Sequence, residues 1–118
     1  MMTWDGIEHR RFIRVKVHLR TDILHKDQSI ITAYAENISK KGLKISIKQE
    51  IPRKTMVDLL IYARQEPIKC KAKVSRVNKI EDPHLEGGVI FDIGFEIVEI
   101  AKEDHMLLMN LIAQQKNK

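Results

Sequence analysis

The sequence predicts an all-β domain: a six-stranded antiparallel barrel closed by one C-terminal helix. Three observations carry this. Apolar residues alternate with polar ones over most of the chain, turn residues recur at short intervals, and only the last segment has its apolar residues three and four apart. Closing six short strands into a barrel removes the exposed edges that an open sheet would leave.

Residues 1–8 show no sustained periodicity and read as an N-terminal arm, with Trp4 its one large aromatic. Residues 9–118 are expected to form a single domain. In the first strand Val15, Val17 and Leu19 fall on one face, and Lys16, His18 and Arg20 on the other. Asp27-Gln28-Ser29 marks a turn, and Ile30 to Glu36 returns as a second strand. Residues 37–42 read as a loop, followed by Leu43, Ile45 and Ile47 in alternation with Lys44, Ser46 and Lys48. Pro52 ends this third strand.

The apolar run from Met56 to Ala63 is dense enough for a strand in the centre of the fold. After Pro67 a long alternating segment runs through Cys70, Ala72, Val74 and Val77. Its phase slips after Val74, which predicts a bulge near Ser75 and Arg76. Gly87-Gly88 is expected in a hairpin turn, and Val89, Phe91, Ile93, Phe95 and Ile97 then alternate strictly. In the terminal helix Leu108, Met109 and Ile112 define an apolar stripe that His105, Leu107 and Leu111 broaden.

Composition narrows the function. The 118 residues carry a formal charge of +5, so an anionic partner is favoured. Arg10, Arg11, Arg14, Lys16 and Arg20 make a basic pole beside the single acid Glu8. A lone cysteine, Cys70, cannot form an internal disulfide or supply a zinc site, and it reads as a small strand residue in a reducing compartment. The five histidines lack ligand spacing with cysteine or acidic partners, so no metal is expected. No nucleophile elbow, Walker loop or paired catalytic carboxylates are present, so the protein is not expected to be an enzyme. With no apolar run long enough to span a bilayer and no signal-like N-terminus, a cytoplasmic location is expected.

Two short elements stand out. In Arg10-Arg11-Phe12-Ile13-Arg14 the outer arginines are four residues apart, about 13 Å if the backbone is extended. Each guanidinium can grip a phosphate bidentately, read O6 and N7 of guanine, or stack on a base. In Asn37-Ile38-Ser39-Lys40-Lys41-Gly42, Asn37 and Ser39 share a direction in extended backbone and offer donors and acceptors to a base edge. Gly42 permits a positive φ and close backbone approach. Taken singly, the arginines read as a solvated basic patch and the second element as an ordinary turn.

Together, Arg-x-x-x-Arg followed by Asn-x-Ser-x-x-Gly resembles the paired signature of PilZ domains. Gly42-Leu43-Lys44-Ile45 and Ile93-Gly94-Phe95-Glu96 are also similar to segments of that family, and the resemblance covers about residues 8–113. It implies a split barrel with a C-terminal helix that binds cyclic di-GMP as ligand, with no cofactor. Arg10, Arg11 and Arg14 would grip the phosphates and guanines, while Asn37, Ser39 and Gly42 hold one guanine. The arm would reorder on binding and change a surface read by a protein partner in motility, secretion or polysaccharide synthesis. His9, just before the first element, bears on whether one or two ligand molecules bind. Trp4, Lys40, Lys41 and Arg76 are further candidate contacts. Two other readings stand beside this one: an adaptor of the same fold that binds only protein, and a basic barrel that binds nucleic acid. The second is disfavoured by an aromatic content of 5% and by the expected burial of Phe91 and Phe95.

Overall fold

Period-two patterning produces strands wherever one face can be buried, and here it produces six. The computed structural model describes residues 13–81, 84 and 88–116. It contains β1 (Val15–Leu24), β2 (Ile30–Ile38), β3 (Gly42–Ile47), β4 (Met56–Ile61), β5 (Ile68–Glu81), β6 (Val89–Ile100) and α1 (Lys102–Lys116). The strands close into an antiparallel barrel in the order β1-β2-β3-β6-β5-β4. Four of the pairings join strands adjacent in sequence. The other two, β3 with β6 and β1 with β4, shut the ring.

The barrel is filled from every strand. Ile23, Ile38, Ile45, Leu59, Ile61, Val74 and Ile93 are fully or almost fully buried, joined by Ile51 from the β3–β4 connection. Each aliphatic side chain of this size stabilises the fold by roughly 2 kcal/mol relative to an exposed one. Cys70 is also buried, on β5. Phe95 is buried and Phe91 packs partly against the core, as their alternation predicts.

The helix closes the chain against β5 and β1. Leu108, Leu111 and Ile112 are buried and Leu107 is half-buried. Asp104, in the first turn, accepts a 3.2 Å hydrogen bond from the Lys69 backbone N–H and so ties the helix to the start of β5. The buried stripe is narrower than the sequence predicts: Met109 and His105 face outward, because a helix resting on one side of a barrel buries only its contact line. Among the described residues no helix is long and apolar enough to cross a membrane.

Four bulges bend the strands. The one predicted near Ser75 is present, between the pairs Val74–Phe95 and Arg76–Gly94. Three were not legible: an extra residue in β1 between Lys16 and Leu19, one at Glu36 in β2, and one at Val98 in β6. The β1 bulge leaves Val17 and Leu19 only half-buried, although Val15 is fully inside.

Candidate ligand-binding site

The second motif is more regular than a loop. Asn37 and Ile38 belong to β2 and Gly42 begins β3, so only Lys40 and Lys41 form the turn. Ser39 and Gly42 exchange backbone hydrogen bonds: the Ser39 N–H donates to the Gly42 carbonyl at 2.8 Å, and the Gly42 N–H to the Ser39 carbonyl at 3.3 Å. The buried Ser39 hydroxyl accepts from the Lys41 N–H at 3.2 Å and reaches the Gly42 carbonyl at 3.4 Å. Its role within the hairpin is to brace the turn.

Gly42 is needed for space. It does not adopt a positive φ, contrary to one of the two reasons the sequence suggested. A β-carbon there would stand 1.9 Å from the Phe95 carbonyl oxygen on β6. The Lys41 carbonyl accepts the Ile97 N–H at 2.8 Å, so the hairpin is sewn to β6 on both sides of the glycine. Asn37 pairs with Lys16 on β1 and Lys44 on β3, and its Oδ1 is buried with no hydrogen-bond partner among the described residues. An amide oxygen withdrawn from water without a donor is costly.

An open cleft of about 540 Å³ lies beside this hairpin. Its floor is Gly94, Phe95 and Glu96 of β6. One wall is Ser39, Lys41, Gly42 and Lys44, and the other is Ser75, Arg76 and Val77 of β5 with Arg53 from the β3–β4 connection. Arg14, just before β1, completes the rim. Five cations thus surround one carboxylate. Lys44 is held by Glu36 at 3.5 Å and Asp92 at 3.6 Å, and Glu96 faces Lys73 at 3.9 Å. Arg14, Arg53 and Arg76 have no ion-pair partner among the described residues. Three planar cations without an ion-pair partner among the described residues, around one open cleft, suit an anion that carries phosphate and a flat base.

The structure therefore brings Arg14, Ser39 and Gly42 to one cleft and adds Arg76 to them. Asn37 lies on the same hairpin but does not line the cleft. Arg10 and Arg11 lie outside the described residues, as do His9 and Trp4. Sequence reading missed Arg53, a single arginine between Pro52 and Lys54 whose position depends wholly on how the connection folds back on β5.

The sequence profile of the PilZ domain matches residues 8–114. This chain belongs to the PilZ domain family. Solved structures share its fold at low identity. The PilZ domain of Escherichia coli YcgR with c-di-GMP superposes with a TM-score of 0.73 at 11% identity, over 92% of each chain. Bacillus subtilis MotI/DgrA, an inhibitor of motility, gives 0.73 at 24% identity over 92% of this chain and 52% of its own. K. pneumonia MrkH gives 0.75 at 14% identity over 99% of this chain and 51% of its own. The chain thus spans about half the length of MotI and MrkH. A search of curated proteins finds no match.

Proposed function

We propose that this PilZ domain is a receptor for cyclic di-GMP. The observation that carries the reading is the cleft in which an unpaired Arg14 faces the Ser39–Gly42 hairpin. The motifs that supply these residues coincide with a basic depression, and two proteins of similar fold, the PilZ domain of YcgR and MrkH, have been solved with c-di-GMP.

In this reading Arg14, with Arg10 and Arg11, pairs with the phosphates and guanine edges of the ligand through charge-assisted, bidentate hydrogen bonds. Asn37, on the same hairpin, accepts an N–H of guanine through its Oδ1 once binding shifts the hairpin enough to expose that oxygen to the cleft. Ser39 and Gly42 hold the hairpin in shape and let the ligand approach its backbone. Binding draws residues 1–8 over the ligand and changes the face that a partner protein reads. Output is a surface and not a reaction, in the cytoplasm, on a protein of motility, secretion or polysaccharide synthesis.

Calorimetry tests this. Micromolar cyclic di-GMP should give a saturable heat with the full chain. Arg14→Ala should weaken binding by about 1.5–3 kcal/mol, the range for a hydrogen bond to a charged group, with an unchanged circular dichroism spectrum. Absence of any heat with the wild type would overturn the reading.

A further inference from the structure

We propose that Arg53 and Arg76 form a second cationic wall that grips the ligand from the side opposite the Ser39–Gly42 hairpin. The inference rests on the cyclic di-GMP reading above and extends its site to two residues that neither motif contains.

Both arginines are exposed, both line the cleft and neither has an ion-pair partner among the described residues. An arginine that only solubilises the surface has no reason to be fixed. Here the backbone that carries each of them is held by structure that converges on one spot.

Arg76 follows the bulge at Ser75, whose hydroxyl donates to the Gly94 carbonyl at 3.1 Å. The bulge shifts the phase of β5 and sets Arg76 opposite Gly94 on the cleft floor. A β-carbon on Gly94 would lie 3.6 Å from Arg76 Cβ and 3.8 Å from its Nε, so the guanidinium stem rests over the glycine. The bare floor gives Arg76 its bed.

Arg53 is aimed by the turn that carries it. The neighbouring Lys54 has φ 73°, a left-handed conformation that a β-carbon disfavours. Its N–H donates to the Val74 carbonyl at 2.8 Å, and the Val74 N–H donates to the Thr55 carbonyl at 2.9 Å. Strained backbone persists only where surrounding contacts over-determine it. Here those contacts clamp the turn to the residue before the β5 bulge, which brings Arg53 and Arg76 to the same wall.

The chemistry fits a ligand with two phosphodiesters on opposite sides of a ring. Arg14 and its motif partners serve one side and the hairpin one base. Arg53 and Arg76 then meet the remaining phosphate and base face with forks of donors that lysine could not offer.

The test is calorimetric titration of the full chain with cyclic di-GMP at low and high salt, using wild type, Arg14→Ala, Arg53→Ala, Arg76→Ala and Gly94→Val. Arg64→Ala serves as a control for an exposed arginine remote from the cleft. Melting curves verify folding. Arg53→Ala and Arg76→Ala should each weaken binding about tenfold and reduce its salt dependence, since each removes one charged contact. Arg64→Ala should do neither. Gly94→Val should weaken binding by displacing Arg76, and combining it with Arg76→Ala should add little further loss. If Arg14→Ala loses binding while Arg53→Ala and Arg76→Ala titrate like wild type, the second wall is wrong and the receptor reading stands. If wild type gives no binding, the receptor reading fails and this proposal falls with it.

Discussion

Gly42 on β3 sits so close to Phe95 on β6 that its missing side chain is a structural requirement: the space a β-carbon would take is already filled by the Phe95 carbonyl oxygen, 1.9 Å away. That oxygen belongs to the backbone of a paired strand and cannot swing aside. Gly42→Ala should therefore destabilise the domain by about 2 kcal/mol, in the range of an overpacked site. Urea unfolding measures the loss. Because the displaced strand carries the hairpin, the same variant should bind cyclic di-GMP more weakly even where it remains folded.

Gln28 takes φ 70° in the β1–β2 hairpin, where the His25 N–H bonds the Ser29 carbonyl at 3.0 Å and the Gln28 N–H bonds the His25 carbonyl at 2.9 Å. This is a three-residue hairpin loop whose last position favours glycine. Gln28→Gly should raise stability by up to about 1 kcal/mol, as relief of left-handed strain outweighs the added freedom of the unfolded chain. A higher melting temperature checks it.

Asp27, in the same loop, accepts hydrogen bonds from the Ser29 hydroxyl at 2.6 Å and the Ser29 N–H at 2.9 Å. These bonds hold its carboxyl below the ordinary value of 3.8, the hydroxyl contributing most. A lowered folded-state value means that the ionised form favours the fold. The contribution is complete above 3.8 and disappears as pH falls through the folded-state value. Asp27→Asn should thus be less stable than wild type at neutral pH, with a difference that shrinks in acid below 3.8. Paired denaturation curves across that window measure it.

Burial pushes the Cys70 thiol up to about 12, with Asp104 and Asp58 adding to the effect. The reactive thiolate is then scarce at physiological pH. Iodoacetamide at pH 8 should leave Cys70 unmodified in the folded protein and alkylate it readily in denaturant. Mass spectrometry distinguishes the two.

The barrel was readable because its signal is periodic and repeated. Leu43, Ile45 and Ile47 must face one way, and each does face inward. The slip between Val74 and Val77 betrayed its bulge because apolar residues stand on both sides of it. The bulges at Glu36 and Val98 left no such mark, since each is set by where the partner strand runs out of register. The candidate site divides in the same way. Arg14, Ser39 and Gly42 are found by motif because their spacing is local. Asn37 was recognised as well, but its unpartnered oxygen is a property of the packed hairpin. Arg53 belongs to the class that sequence hides, for the fold-back of a connection onto Val74 is decided by two long-range backbone hydrogen bonds.

The closing of the ring has one further effect. Among the described residues β1 pairs with β4 along Thr21–Leu24, whereas its leading half, Val15–Arg20, is laddered to β2, with a further backbone bond from the Tyr62 N–H to the Arg20 carbonyl. Arg14 enters the fold at this loosely stitched end, while the hairpin across from it is sewn firmly into β6. The two sides of the cleft are thus unequal by construction. One is an anvil, and the other is fastened along a partial seam.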